Sequence, residues 1–300
     1  MEKELLLVIN PYAGQKKANR YLCDILQLFG SFGWECIVHP TKARGDGRDT
    51  VAALAGRVSL VVCIGGDGTF NECVDGLLAS GKKTPLGYIP AGSTNDFANS
   101  LKLSKNVMQA ARDIMEGAPR ALDIGSFDGR HFTYVASFGA FTRASYSTPQ
   151  SAKNAFGHLA YIMEGMKDLS SLKPRHLRFE TRDAIYEGDY IFGAVSNSTS
   201  VAGILTISPE LVDMSDGRFE VLLVKNPTNA VEFSECLAAL TTKDYNSAMI
   251  TFFSAEEIRI TADPSMDWTL DGEWQAGSEK IGIENLHGAI SLYVKKEAAR

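Results

Sequence analysis

The chain lacks what several functional classes require. None of its apolar runs approaches the roughly 20 residues that a membrane-spanning helix needs. Basic residues are not in excess: Lys and Arg number 30 against 36 acids, a formal charge of -6, so a nucleic-acid partner has little electrostatic support. The five cysteines (Cys23, Cys36, Cys63, Cys73 and Cys236) show no Cys-x-x-Cys spacing. That usage argues against a zinc site or a disulfide framework and suits a reducing cytoplasm. Internal repeats and low-complexity tracts are absent from the sequence. The apolar run near the start, Leu5 to Ile9, is too short for a signal peptide and reads as a first strand.

What is present is an ordinary globular composition, 45% hydrophobic and 22% charged over 300 residues, which suggests two domains or one large one. The organising stretch is Leu60-Val-Val-Cys-Ile-Gly-Gly-Asp-Gly-Thr-Phe-Asn-Glu72. Its apolar first half predicts a strand buried on both faces. Gly65, Gly66 and Gly68 allow a tight turn, and Phe70, Val74, Leu77 and Leu78 then follow at helical spacing up to Gly81. A strand, glycine turn and helix aim backbone N–H groups and a helix N-terminus at one point, which suits a phosphate. No Lys-Ser or Lys-Thr follows the glycines, so this is not a P-loop, and the spacing differs from the dinucleotide fingerprint. Asp67 is the odd member. An acid in an anion-binding turn makes sense if it meets a metal or an attacking hydroxyl.

Two further loops follow short apolar strands. Leu5–Ile9 runs into Asn10-Pro11-Tyr12-Ala13-Gly14, and Pro85–Ile89 runs into Ala91-Gly92-Ser93-Thr94-Asn95-Asp96. Lys16, Lys17 and Arg20 begin a helical pattern; they are either solvated or face an anion. Residues 93–96 hold a surplus of capping types, of which one cap uses only one. A strand at Trp34–Val38, a helix at Asp49–Ala55 and another at Asn106–Glu116 complete an alternating pattern. Such alternation predicts a parallel sheet covered on both sides, with ligands beyond the C-terminal strand ends, where all three loops fall.

Near Leu122 the texture changes. A hairpin about Asp128-Gly129, one helical stretch at Ser151–Leu169, another at Ala230–Leu240 and several short β-type runs predict a β-sandwich. Its turns are read at Asp216-Gly217, Asp271-Gly272 and His287-Gly288. The expected division is therefore an α/β domain over 1–122 and an all-β domain over 123–289. Asp213 and Asp216, with a nearby carbonyl, have the makings of an oxygen-ligand cation site. Leu270-Asp271-Gly272-Glu273 taken alone is a hairpin turn with exposed acids.

Together GGDGTFNE, the upstream NPYAG, the downstream PAGSTNDFA and the late LDGE resemble the bacterial diacylglycerol kinases and the sphingosine kinase-like lipid kinases, over nearly the whole chain. GGDGT alone is shared with NAD kinases. The resemblance implies a phosphofructokinase-like nucleotide domain, a C-terminal β-sandwich, and ATP with Mg²⁺ in the cleft between them; it also allows the tail 290–300 to return to the first domain. It implies ATP contacts from Asn10, Pro11, Tyr12, Ala13, Gly14, Thr41, Gly65, Gly66, Asp67, Gly68, Thr69, Phe70, Asn71 and Ser93. Glu273 would be the catalytic base, with Asp67, Asp96 and Asp271 ordering the active-site metal and polar network. Asp213, Asp216 and the carbonyl of Arg218 match a structural magnesium site. Ser93 replaces the family's usual Thr and keeps the hydroxyl; Asn197–Gly203 is poorer in glycine than the family pattern. The acceptor would be a lipid alcohol met at the inner membrane surface by a cytoplasmic enzyme, with diacylglycerol first; Phe138–Phe141 and Phe156–Met166 are candidates for its apolar groove. The rival readings are a soluble-acceptor kinase, such as one for NAD, and a non-catalytic nucleotide or lipid sensor. A homodimer is left open.

Overall fold

The computed structural model describes residues 3–139, 173–201 and 205–296, and the side chains of residues 15–18, 201 and 205 fall outside the description. The expected helix at 151–169, Phe141, and the side chains of Lys16 and Lys17 therefore lie outside the described residues. The chain divides into two compact units, Met1–Asp123 with Gly288–Arg300, and Ile124–His287.

In the first unit, strands β1 (Lys3–Ile9), β2 (Trp34–Pro40), β3 (Leu60–Gly65) and β4 (Leu86–Pro90) form a parallel sheet in the order β2-β1-β3-β4. Helices α1 (Lys17–Arg20), α2 (Leu22–Ser31), α3 (Asp46–Leu54), α4 (Asp67–Ser80), α5 (Asp96–Ser100) and α6 (Val107–Glu116) connect or follow the strands. Alternation along β1 explains its uniform apolarity. Leu5, Leu7 and Ile9 join a core with Ile25 and Phe29 of α2 and Ala110, Ala111 and Ile114 of α6. Leu6 and Val8 are equally buried on the other face, and Val8 lies near Gly47 of α3. A strand covered on both sides has no position for a polar side chain. Helix α3 starts at Asp46, three residues before the expected Asp49.

The second unit holds strands β5 (Ala118–Phe127, begun in the first unit), β6 (Arg130–Phe132), β7 (Val135–Gly139), β8 (Arg175–Glu180), β9 (Ile185–Ser196), β10 (Ser200–Val201), β11 (Leu205–Thr206), β12 (Phe219–Lys225), β13 (Ile250–Ala255), β14 (Glu257–Thr261), β15 (Trp268–Leu270), β16 (Glu273–Gln275) and the start of β17 (Lys280–Val294). Its one described α-helix is α7 (Ala230–Thr242), held at its start by Asn229, whose side chain accepts from the amides of Val231 and Glu232. The strands form a β-sandwich-like body around one aromatic core. Phe138 and Trp268 lie 4.9 Å apart edge to face, and Phe127 meets Trp268 at 5.2 Å. Phe138 has no exposure, so it belongs to this core and not to an acceptor groove.

One expected turn is a strand. β17 runs without a break through His287-Gly288, and its end lies parallel to β4 with Leu292 opposite Leu86. The chain thus enters the second unit once and returns to finish the sheet of the first.

Candidate active site

The three loops named from sequence come together in the first unit. The Asn10 side chain donates to Thr69 Oγ1 at 3.1 Å, and its amide donates to the Ile64 carbonyl at 2.9 Å. Thr41 is drawn to the same strand ends, its amide donating to the Ile9 carbonyl at 2.9 Å. The Ala91 amide donates to the Gly65 carbonyl at 2.7 Å. Gly66 and Gly92 face each other so closely that a Cβ on Gly92 would lie 2.6 Å from Gly66 Cα. Glycine at both positions lets two backbones share the space that one side chain would occupy.

Helix α4 opens at Gly66 with no side-chain cap, and Gly68 in its first turn is exposed with nothing within 4 Å of where its Cβ would be. Fourteen residues of aligned peptide dipoles therefore end at an uncapped N-terminus, which favours an anion. Asp67 does not cancel this. Its two carboxylate oxygens accept from the amides of Asp96 (3.1 Å) and Phe97 (3.3 Å), the N-terminus of the neighbouring α5. The expected surplus of caps at 93–96 is resolved in the same way. Asn95 sits at the cap position in the left-handed conformation and makes no cap bond; it turns back onto the amide and carbonyl of Gly92. Asp67 caps α5 from another loop.

Other expected contacts divide by exposure. Tyr12 is 74% exposed, with its amide held by the Asn10 side chain at 3.0 Å. Pro11, Ala13, Gly14 and Asn71 are half-buried, and Ser93 is exposed. Phe70 is different: its ring has no exposure and stacks on Tyr88 at 4.5 Å and Phe97 at 4.8 Å, while its amide donates to the Gly66 carbonyl. Phe70 thus gives its ring to the core and its amide to the first turn of α4. Asp96 is 6% exposed.

Sequence reasoning missed Glu72. Its carboxylate accepts from the amides of Gly45 (2.7 Å) and Gly47 (3.2 Å), where α3 opens without a side-chain cap of its own. It thereby ties the loop after Thr41 to the helix behind the glycine turn. Asp46 secures the same loop by accepting from the Lys42 amide at 2.7 Å, which holds its carboxyl below the ordinary range, with His39 3.1 Å away as a further cause. The position of Glu72 directly after the glycine motif was the available signal.

In the second unit, Asp271 and Glu273 lie at a two-residue hairpin turn between β15 and β16, with φ 50° at Asp271 and 83° at Gly272. Both carboxylates meet the segment 130–135. Asp271 accepts from Thr133 (amide 2.6 Å, hydroxyl 2.8 Å) and from the amides of Tyr134 (3.0 Å) and Val135 (3.1 Å). Burial pushes its carboxyl up, and these donors pull it back toward the ionised form. Its oxygens hold the donors of Thr133, Tyr134 and Val135, so it acts as the latch of the hairpin. Glu273 accepts from Arg130 Nη2 at 2.8 Å and is partly exposed.

The acidic loop before β12 was expected to hold a cation. Asp213 accepts from the amide and hydroxyl of Ser215, and Asp216 accepts from the Arg218 amide at 2.9 Å. Behind them Glu220 is 3% exposed, and its Oε2 has no hydrogen-bond partner. Burial, with the charges of Asp216 and Asp213, pushes Glu220 up to about 8. An orphaned carboxylate oxygen beside two more acids is an all-oxygen, anionic environment that fits a hard cation such as Mg²⁺. Among the described residues no three His, Cys, Asp or Glu side chains are grouped closely enough to hold a metal by themselves, so carbonyl and water ligands would have to complete the shell.

Comparison with known proteins agrees with both halves of the chain. Residues 4–127 match the family described as diacylglycerol kinase catalytic domain, and residues 134–293 match the YegS C-terminal NAD kinase beta sandwich-like domain. The chain is 31% identical to a diacylglycerol kinase of Bacillus subtilis (strain 168), covering 99% of this chain and 98% of that one. It is 29% identical to one of Staphylococcus epidermidis, covering 99% and 94%. A crystal structure of a diacylglycerol kinase from Bacillus anthracis str. Sterne has the same fold, with a TM-score of 0.76 at 23% identity over 98% of this chain and 97% of that one.

Proposed function

This chain belongs to the diacylglycerol kinase family of lipid kinases, and from that premise we propose that it transfers the γ-phosphoryl group of ATP to the hydroxyl of a lipid alcohol, diacylglycerol first. The observation that carries the reading is the meeting of the three loops around an uncapped α4 N-terminus, with Asp67 turned away to cap α5. On this reading the phosphates of ATP lie against the amides that begin α4 and against the Asn10, Thr41 and Ser93 loops. Asp67 and Asp96 hold the loop 91–96 at the distance the phosphates require.

Glu273 is the base. The acceptor oxygen forms a bond to the γ-phosphorus, the bond from that phosphorus to the β,γ-bridging oxygen breaks, and ADP leaves. The hydroxyl proton passes to the Glu273 carboxylate. Asp271 takes no proton in this scheme; it fixes the hairpin that presents Glu273. Mg²⁺, when bound, neutralises charge on phosphate oxygens; at the separate structural position Asp213, Asp216 and the Arg218 carbonyl would hold it, beside Glu220. Among the described residues no helix is long and apolar enough to span a membrane. The reading therefore has the enzyme, which we place in the cytoplasm, meet its acceptor at the membrane surface.

The test is incubation with γ-labelled ATP, magnesium and diacylglycerol in mixed micelles, followed by organic extraction. Label should enter the organic phase as a phosphorylated lipid and require magnesium. Label confined to a water-soluble product, in the presence of NAD or another soluble alcohol, would overturn the lipid acceptor. No transfer to any acceptor despite ATP binding would overturn catalysis in favour of a sensor.

A further inference from the structure

The segment 130–135 reaches both acids of the LDGE hairpin from opposite ends. Its last three residues hold Asp271 through backbone amides. Its first residue, Arg130, spans the whole of β16. Nη2 donates to Glu273 Oε2 at 2.8 Å, while Nη1 donates to the Trp274 carbonyl at 2.9 Å and to Gln275 Oε1 at 2.8 Å. A guanidinium is a rigid planar fork, so three bonds from one group set the direction of the strand and of the Glu273 side chain together.

Stability does not account for this arrangement well. The Arg130 and Glu273 side chains are 35% and 42% exposed, and ion pairs that wet contribute little to folding. The core beneath them is secured independently by Trp268 and Leu270, which are 1% and 2% exposed. What the fork adds is registry. The turn at Asp271-Gly272 needs the left-handed conformation at both residues. β16 is only three residues long, and its pairing to β15 fixes the backbone of Glu273 without selecting a side-chain rotamer. Arg130 narrows that choice by holding one carboxylate oxygen at 2.8 Å.

We propose that Arg130 is a positioning residue for phosphoryl transfer, holding the Glu273 side chain in the orientation of a base. The inference rests on the reading of Glu273 as that base. The experiment compares Arg130→Gln, Arg130→Lys, Glu273→Gln and the double variant by turnover, ATP affinity and melting temperature. Arg130→Gln should lower kcat by about 10- to 100-fold, the scale of a displaced catalytic group, with ATP affinity within about twofold of wild type. Arg130→Lys keeps the charge without the fork and should fall between. Adding Arg130→Gln to Glu273→Gln should cause no further loss, because a residue that acts only through Glu273 has nothing left to position.

An Arg130→Gln enzyme with kcat within about twofold of wild type would overturn the proposal. So would a double variant whose losses multiply, which would give Arg130 a role apart from Glu273. Should Arg130→Gln melt early, Arg130→Lys decides, since wild-type turnover in that folded variant would show the fork to be dispensable. Failure of the underlying reading looks different: the Glu273→Gln single variant would then turn over at nearly the wild-type rate.

Discussion

Asp67 shows how far a residue's type can point to chemistry without giving its partner. From sequence it is an acid inside a phosphate turn, waiting for a metal or a hydroxyl. In the structure its oxygens hold the amides of Asp96 and Phe97. Asp67→Asn retains one acceptor oxygen and loses the other, together with the charge that favours the α5 N-terminus. Both ATP affinity and turnover should fall, because the loop 91–96 loses its anchor. Glu273→Gln should behave otherwise: loss of a general base costs about 10²–10⁴ in rate, with ATP affinity unchanged within a few-fold. Calorimetry of ATP binding beside the lipid assay separates the two, and equal behaviour of both variants would contradict the division of roles. The glycine turn has its own probe. Valine at Gly66 would press on Gly92 as well as on a phosphate, a Cβ there already lying 3.3 Å from Gly92 Cα, so it confounds folding with binding. Gly68 faces open space. Gly68→Val should leave the melting temperature within a few degrees and abolish ATP binding; retained affinity in that variant would move the phosphates elsewhere.

Hairpins and caps show which signals an element carries in sequence. Asp128-Gly129 and Asp271-Gly272 were legible as turns because both residues of each pair have positive φ, the requirement of the tightest hairpins. His287-Gly288 carries a similar signal but only Gly288 has positive φ, at 59°, and the chain continues through it as β17. The strands of the first unit were legible because burial on both faces leaves uninterrupted apolar runs. What remained hidden are bonds between a side chain and distant backbone: Glu72 to Gly45, Asp67 to Asp96, Asp271 to Thr133. Such bonds have no period and join segments far apart in the chain. Glu220 was hidden for the opposite reason, since nothing in FEVLLVK distinguishes a buried glutamate from an exposed one. Its consequence is measurable. With its folded pKa raised to about 8 from an ordinary 4.5, Glu220 stabilises the fold fully below pH 4.5 and loses that contribution as pH rises through 8. Glu220→Gln should therefore flatten the fall in melting temperature between about pH 5 and 8 measured without divalent cations. In the wild type, Mg²⁺ should raise the melting temperature above about pH 8, where the Glu220 carboxylate is mostly ionised, and Asp213→Asn with Asp216→Asn should erase that gain. A slope unchanged by Glu220→Gln would remove the residue from the balance.

At the scale of the whole molecule, the chain leaves its first unit after Asp123 and comes back at Gly288, so the sheet that carries the three loops is finished by the last strand to be made. The return is fixed locally: the Gly288 amide donates to Asp123 Oδ1 at 2.7 Å, beside the point of departure. Beyond it Ile290 and Leu292 are 3% and 0% exposed, and Leu292 lies opposite Leu86 of β4. β4 leads directly into the loop 91–96, whose Ala91 amide is bonded to Gly65. Loosening β17 against β4 should therefore reach the loops through the strand that supports them, although Leu292 touches no proposed ligand. Removing a buried leucine side chain costs about 2–5 kcal/mol, while a volume-conserving exchange costs less than about 1.5 kcal/mol. Leu292→Ala should lower the melting temperature by several degrees and weaken ATP binding in proportion to the unfolded or loosened fraction. Leu292→Met should leave both close to wild type. Saturating ATP should restore much of the Leu292→Ala melting temperature, because a ligand that binds only the folded unit stabilises it by mass action. If Leu292→Ala lowered the melting temperature and ATP failed to raise it, the unit finished by β17 would not be the one that binds the nucleotide.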